Sequence, residues 1–274
     1  MRILQYIYAL TMSGFFPEVN STVKRMNILL SNDDGIHSPG LRAMNKALAE
    51  AGHRVMVVAP LFEQSGVSSS VTLTMPLRVR PVQDGEFSGS GVFGSPADCV
   101  KLALAGLLPA KPDLVVAGIN AGGNTGVDVI YSGTVAAALE GALSGYNSIA
   151  VSYDAFRLPD ISEHAAHAVD LIGRIDWTRL PARRVLNLNY PNRPLSATRG
   201  LRICPPASAP WVDSYEERRD LRGYPYWWLS GYMSDGAVAR DSDRALLNQG
   251  HITLSPLRFD FSDPETEAIL DAML

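Results

Sequence analysis

The chain has 274 residues, 46% of them apolar and 19% charged, with a formal net charge of −4. This composition is typical of an ordinary globular protein with room for one large α/β domain, and it lacks the basic clusters that bind nucleic acid or membrane surfaces. No run of 18 or more apolar residues occurs, and the two cysteines, Cys99 and Cys204, predict neither a disulfide nor a zinc site. We therefore expect a cytoplasmic protein with no nucleic acid polymer and no membrane as partners.

The first 25 residues precede any regular pattern and are expected to form an extension outside the fold. The segment 1–16 is apolar, but Gln5, Thr11 and Ser13 interrupt it, and no clear small-residue cleavage site follows. Both observations argue against a secretory signal. Met26 lies directly before the first predicted strand and could itself be the true start of the protein.

The first predicted element is a buried strand, 26–30, that leads into two adjacent carboxylates, Asp33 and Asp34, and then Gly35. In open α/β sheets the functional crevice lies beyond the carboxyl ends of the strands, where both aspartates would lie. Two carboxylates about 5 Å apart repel by roughly 3 kcal/mol at an effective dielectric near 20. A nearby cation or a retained proton is therefore expected. An ordinary solvated Asp-Gly turn is the alternative.

A βαβ unit follows. Ser38 as N-cap, Pro39 at the first helical position and Gly52 past the end delimit a helix. The second strand, 54–59, is predicted to lie parallel to the first, with a right-handed crossover between them. Its polar exit loop, 60–70, contains Ser65 and should lie at the same edge of the sheet as the two aspartates.

The middle of the chain continues this alternation. Residues 71–81 alternate and predict an antiparallel or edge strand, and Ser95 begins a helix that extends to about Leu107. The buried strand 114–118 leads into a loop, 119–126, rich in glycine and asparagine. This loop matches neither the Walker A motif nor the dinucleotide-binding motif, so a plain surface loop is an equally good interpretation.

Ser132, Gly133 and Thr134 open the next predicted helix, 135–144. A helix N-terminus presents unpaired N–H groups and the positive end of the helix dipole, which suit an anion such as phosphate. Simple N-capping by Ser132 or Thr134 is the alternative.

The C-terminal part begins with a strand at 148–153, a helix at 162–175 and a strand at 184–188. Residues 205–248 are rich in aromatic and charged residues and predict an excursion from the main body, with Tyr226, Trp227 and Trp228 as interface anchors. A strand at 251–257 re-enters the body, and Asp263 caps a final helix. We expect an extension at 1–25, one domain at 26–262 that includes the excursion, and an appended helix at 263–274.

Several sequence strings together resemble the SurE survival-protein family of metal-dependent nucleotide phosphatases, from Met26 to about Leu257. They are Ser31-Asn32-Asp33-Asp34-Gly35-Ile36, Ala59-Pro60 with Ser65-Gly66, Gly94 to Val100, Pro112 to Gly122, Val129 to Thr134, Asp220 to Leu229, Ser242-Asp243 and Ser255-Pro256-Leu257. The resemblance implies a Rossmann-like three-layer α/β body with a mostly parallel sheet and a protruding β-hairpin. It also implies a homodimer or homotetramer. Ser95 and Ala117 depart from the usual threonine and serine of the family.

Carried over residue by residue, the resemblance implies one divalent metal ion per subunit, Mg²⁺ or Mn²⁺, held by Asp33, Asp34, Ser65 and Asn120. All four are hard oxygen donors, which such ions prefer. It places the substrate phosphate at Ser132, Gly133 and Thr134.

The hypothesis that follows is hydrolysis of a nucleoside monophosphate to nucleoside and phosphate, with 5′- or 3′-nucleotides and short polyphosphates as candidate substrates. Asp33 or Asp34 would accept the proton of the attacking water, and the sequence does not choose between them. Two alternatives are kept: a phosphatase in which Asp33 is phosphorylated, and a nucleotide-binding scaffold without catalysis. His37, beside the aspartates, is interpreted as a histidine of a surface turn.

Overall fold

A computed structural model describes residues 24–209, 211–233 and 238–274. The expectation for the N-terminal extension falls almost entirely outside these residues.

The strands, in chain order, are β1 (Asn27–Ser31), β2 (Arg54–Pro60), β3 (Arg78–Asp84), β4 (Phe87–Phe93), β5 (Leu114–Ala121), β6 (Asn147–Tyr153), β7 (Arg184–Tyr190), β8 (Leu201–Ile203), β9 (Trp211–Arg219), β10 (Pro225–Met233) and β11 (Ile252–Arg258). The helices are α1 (Pro39–Glu50), α2 (Pro96–Leu102), α3 (Asp128–Tyr131), α4 (Gly133–Leu143), α5 (Ser162–Arg174), α6 (Asp243–Asn248) and α7 (Pro264–Met273).

The main sheet has the strand order β3-β4-β2-β1-β5-β6-β7-β11-β8. Its six inner strands, β4 to β7 in that order, run parallel, whereas β3 is antiparallel to β4 and β11 is antiparallel to β7. Helices α1 and α5 pack on one face and α2 and α4 on the other, so each face has its own apolar core. The expected three-layer α/β class with a mostly parallel sheet is confirmed.

Local capping explains where the helices begin. Ser38 accepts a hydrogen bond from the Leu41 N–H at the start of α1, and Ser95 and Asp98 form a reciprocal capping box at the start of α2. Asp263 caps α7 through the Thr266 N–H, as predicted. The helix predicted to reach Leu107 is shorter, because the α-helix ends at Leu102 and a π-helical turn, 103–107, follows it.

The strand predicted over residues 71–81 is placed wrongly, since β3 begins only at Arg78. The residues before Arg78 form a loop, because side chains rather than a neighbouring strand satisfy its backbone N–H and carbonyl groups. The Thr72 N–H donates to Asp98, and the Ser70 carbonyl accepts from Ser95. The edge position of β3 agrees with the prediction. Its partner β4 was not predicted, because its sequence FSGSGVF is rich in small residues that are typical of turns.

The excursion predicted over 205–248 contains a β-hairpin in which β9 and β10 pair only with each other, whereas its C-terminal end forms α6, which packs against β11 of the main sheet. Its aromatic residues Tyr226, Trp227 and Trp228 are 40, 56 and 59% exposed in the single chain. Among the described residues, no helix is both long and apolar enough to cross a membrane.

Candidate active site

The site lies at the topological switch point of the sheet, where successive strands pass from one side of β1 to the other. After β1 the chain adds β2 and then β4 on one side, and only afterwards places β5 on the other side of β1. Loops that leave β1 and β5 therefore diverge and leave a crevice at their carboxyl ends, the usual ligand site of an open α/β sheet. Asp33 and Asp34 follow β1, and Asn120 lies near the end of β5.

A bulge in β5 sets the direction of Asn120. Gly118 and Ile119 together face a single residue of β6, Val151, so the register shifts before Asn120. A Cβ atom at Gly118 would lie 2.2 Å from the Val151 carbonyl oxygen, and the φ angle of Gly118 is +130°, so glycine is required there. Bulges of this kind redirect side chains next to functional sites.

Asp33 is buried between the loop after β1 and the start of α4. The Thr134 hydroxyl donates a hydrogen bond to its Oδ1 atom, and its own carbonyl accepts from the Gln64 N–H at 2.8 Å. Burial raises the pKa of Asp33, while the hydrogen bond from Thr134 and the backbone amides of Thr134 and Gly133 act to lower it. The carboxylate is thus fixed in place by a helix N-terminus.

Asp34 is half-buried and faces the crevice. The Ala121 N–H donates to its Oδ2 atom at 3.0 Å. Burial and then the charge of Asp33 raise the pKa of Asp34 to about 7, with a smaller contribution from Glu63. The predicted repulsion between the two carboxylates is therefore present in the fold.

Ser65 and Asn120 reach the same cleft from two other loops. Ser65 is exposed, and its hydroxyl donates to Glu63 Oε1 at 2.7 Å. Asn120 is 8% exposed, and its side-chain nitrogen donates to the Gly122 carbonyl at 2.8 Å. This hydrogen bond leaves the amide oxygen of Asn120 as the atom that can bind a cation.

A cleft of about 460 Å³ brings these side chains together. Its lining includes Asp33, Asp34, Ser65, Asn120 and Ser132. Two further carboxylates line the cleft, those of Glu63 and Asp128, whereas no Lys, Arg or His among the described residues does so. His37 is exposed at the surface and interacts with Arg42, as expected of a surface turn. The positive charge expected beside the two aspartates is therefore not supplied by a described side chain of the cleft.

The donor chemistry of the cleft fits a hard divalent cation. Among the residues that the structure describes, no three Asp, Glu, His or Cys side chains could hold one metal ion. The four predicted ligands in the cleft instead offer two carboxylates, one amide and one hydroxyl, all of them oxygen donors. Mg²⁺ suits such a sparse set, because it keeps several waters and takes further oxygens from a substrate phosphate.

The three residues predicted to bind phosphate differ in their accessibility. Ser132 lines the cleft and caps α4 by accepting from the Val135 N–H at 3.1 Å. Gly133 packs directly against Asp33, since a Cβ atom there would lie 2.8 Å from the Asp33 Cβ atom. Thr134 is fully buried, and its hydroxyl is engaged with Asp33. The sequence indicated no link between Thr134 and Asp33, nor the contacts of Glu63 and Ala121 with the site.

The sequence profile described as Survival protein SurE matches residues 28–213. A protein named 5′-nucleotidase SurE from Nitratidesulfovibrio vulgaris (strain DP4) is 56% identical over 241 residues, which cover 88% of this chain and 96% of that protein. The chain belongs to the SurE family. Another SurE protein, the 5′-nucleotidase SurE of Desulfovibrio desulfuricans, is 52% identical over 253 residues, 90% of this chain and 98% of its own.

The SurE fold is equally clear in the comparison of structures. The crystal structure of the SurE protein from Aquifex aeolicus has a TM-score of 0.77 and 32% sequence identity, and the match covers 90% of this chain and 99% of that one. The family predicted from the sequence strings is confirmed. The predicted enzyme class is confirmed as well, since these SurE relatives are named as nucleotidases, which are phosphoric monoester hydrolases.

Proposed function

We propose that this protein hydrolyses nucleoside monophosphates to nucleoside and phosphate, with one Mg²⁺ or Mn²⁺ ion per subunit held by Asp33, Asp34, Ser65 and Asn120. The observation that carries the proposal is a cleft with hard oxygen donors from three loops and no cationic side chain in its described lining. The nucleotidase names of relatives that are 52 and 56% identical support the substrate class.

The chemistry is displacement at phosphorus. The oxygen of a water molecule bonds to phosphorus, the ester bond to the nucleoside oxygen breaks, and a proton passes to that departing oxygen, which becomes the hydroxyl of the nucleoside. The divalent ion supplies positive charge that offsets the phosphate and aspartate charges, and it lowers the pKa of water. The aspartate pair accepts the proton of the attacking water. This assignment is supported by the position of Asp34, which is half-buried on the cleft wall.

The phosphate is proposed to bind at the start of α4. Ser132 lines the cleft and can donate its hydroxyl hydrogen to a phosphate oxygen, while the helix dipole favours the negative charge. Gly133 lets the helix approach Asp33 closely. In this arrangement Thr134, which is fully buried, acts as a positioning residue for Asp33 rather than as a direct ligand of the phosphate.

The organisation of the molecule is part of the same proposal. Residues 26–262 act as one catalytic domain, with the hairpin as a contact to other subunits of a homodimer or homotetramer. The exposure of Trp227 and Trp228 supports this role, because such aromatic residues commonly anchor interfaces. A cytoplasmic location is supported by the two free, buried cysteines, since disulfides are rare in that compartment.

Phosphate release from AMP with added Mn²⁺ tests the proposal. The Asp33→Asn variant should fall to the rate seen without added metal while its circular dichroism stays that of the wild type. Asp170→Asn, which changes an exposed aspartate of α5, is the matched control and should keep full activity. Undiminished turnover in Asp33→Asn would contradict the proposal.

Metal binding itself gives a second measurement. An ion that binds only the native state at 100 times its dissociation constant stabilises it by about 2.7 kcal/mol. Mn²⁺ should therefore raise the melting temperature of the wild type and of Asp170→Asn but not that of Asp33→Asn. An equal rise in all three proteins would place the metal elsewhere.

A further inference from the structure

We infer that the nucleoside part of the substrate occupies a second cavity, beside the metal cleft, in which the base stacks on Phe156. The inference rests on the proposed function and specifies where the part of the substrate beyond the phosphate is recognised. It assigns Phe156 the task of distinguishing nucleotides from phosphate esters that lack a base.

The second cavity adjoins the metal cleft. It has a volume of about 440 Å³, within the range of small-molecule sites. Gly122, Gly123, Asp128 and Phe156 line both spaces, so the part of a substrate beyond its phosphate has this cavity as its immediate neighbour.

Phe156 is an aromatic ring left open to solvent at the junction of the two spaces. It is 94% exposed, although an apolar ring of this size gains stability from burial. Its position is tied to the metal cleft: a Cβ atom on Gly122 would lie 3.8 Å from Phe156 Cε1, and the Gly122 carbonyl accepts a hydrogen bond from Asn120. The ring face is therefore available at a short distance from the proposed metal ligands.

Another part of the cavity lining is polar, and hydrogen bonds link its side chains to one another. Arg244 of α6 donates to Asp128 at 3.1 Å and to Asp154 at 3.4 Å, and Trp211 Nε1 donates to Asp128 at 2.6 Å. The guanidinium offsets the charges of both carboxylates, so the wall repels an anionic substrate less than free aspartates would. The carboxylate oxygens remain hydrogen-bond acceptors for ribose hydroxyls or for an amino group of the base.

An apolar ring beside fixed polar acceptors suits a nucleoside, whose base offers a flat aromatic face and whose sugar offers hydroxyl donors. Stacking of a base on an aromatic side chain is worth roughly a 10-fold gain in binding or more. A sugar phosphate without a base makes no such contact, so Phe156 should affect AMP and ribose 5-phosphate differently.

The test compares AMP with ribose 5-phosphate under the same metal concentration. In Phe156→Ala the ratio of kcat/KM for AMP to kcat/KM for ribose 5-phosphate should fall about 10-fold, through a higher KM for AMP, and Phe156→Trp should preserve it. Phe261→Ala removes an equally exposed phenylalanine that lines neither cavity and should leave the ratio unchanged. An unchanged ratio in Phe156→Ala overturns the inference.

Failure of the proposed function is recognised separately. If the wild type releases phosphate from neither compound, binding of AMP measured by titration calorimetry still tests the cavity. Weaker binding of AMP to Phe156→Ala than to Phe261→Ala supports the inference, and equal binding, or none to the wild type, overturns it.

Discussion

The hydroxyl of Thr134 donates a hydrogen bond to the carboxylate of Asp33, although 101 positions separate the two residues in the chain. Through this contact the first turn of α4 holds the loop that leaves β1. Both side chains are buried, so the bond is not exchanged for one to water. The proposed metal ligand and the proposed phosphate site are thus parts of one rigid unit.

Replacement of Thr134 by valine should weaken the site without removing a ligand. The change keeps the shape of the side chain but takes away the hydrogen bond that orients Asp33, and losses of such supporting bonds typically cost 10- to 100-fold in metal affinity or activity. We expect a loss of that size in Mn²⁺ affinity, measured by calorimetry, and in kcat. Thr134→Ser retains the hydroxyl and should stay within a few-fold of the wild type. Equal Mn²⁺ affinity in the valine and serine variants would contradict the positioning role.

Gly133→Ala should reduce activity more than stability. The new Cβ atom would lie 2.8 Å from Asp33 Cβ and 2.9 Å from Asp33 Oδ2, so the carboxylate must shift. A displacement near 1 Å can cost about 100-fold in rate, whereas alanine favours the helix over glycine by up to about 1 kcal/mol. Turnover of AMP and melting temperature should be measured together. Gly106→Ala, where nothing lies within 4 Å of the new atom, is the control and should keep its turnover.

The Thr72–Asp98 contact should make stability depend on pH. Burial alone would raise the pKa of Asp98, but hydrogen bonds from Thr72 and Ser95 outweigh it and hold the pKa below 3.8. A carboxyl whose folded pKa is lowered stabilises the fold above its unfolded pKa, and that contribution disappears as the pH falls through the folded value. Thr72→Val should therefore lower the free energy of unfolding at pH 7 by about 1.5–3 kcal/mol, since it removes a bond to a charged group.

Urea unfolding at pH 7 and at successively lower pH measures this effect. The difference between the wild type and Thr72→Val should shrink as the pH falls below 3.8. Thr178→Val removes an equivalent 2.6 Å bond to Asp176 on the exposed surface and should have a much smaller effect, because solvent screens it. A difference that is constant with pH would show that the ionisation of Asp98 is not involved.

The hairpin should control assembly. Trp227→Asp and Trp228→Asp each replace an exposed aromatic side chain of β10 by a charge, on opposite faces of the hairpin, and burial of an unpaired charge in an interface is strongly unfavourable. Sedimentation at micromolar concentration should show an oligomer for the wild type and a shift towards monomer for both variants. Arg222→Ala, in the turn of the same hairpin, should leave the oligomer intact. A wild type that sediments as a stable monomer would rule out the proposed dimer or tetramer.

The features that the sequence predicted are those with local causes. Ser38 and Asp263 are capping residues, and they correctly predicted the starts of their helices. The apolar runs of β1, β2 and β5 predicted a parallel sheet whose loops converge. The bond from Thr134 to Asp33 could not be predicted, because it depends on where α4 packs rather than on any neighbouring residue. The start of β3 was predicted wrongly for a related reason. Thr72 lies in a loop and donates its N–H to Asp98, a residue that is distant in the sequence.

The central place of β1 has a consequence for how the protein resists transient opening. Leu29 and Leu30 are fully buried, with three strands on one side of β1 and five on the other. Amides in such a strand exchange with deuterated solvent only when the whole domain unfolds, whereas the edge strands β3 and β8 can fray without it. We therefore expect the loop that carries both aspartates to be anchored to the slowest-exchanging part of the sheet, so that fraying at the edges leaves the proposed site undisturbed.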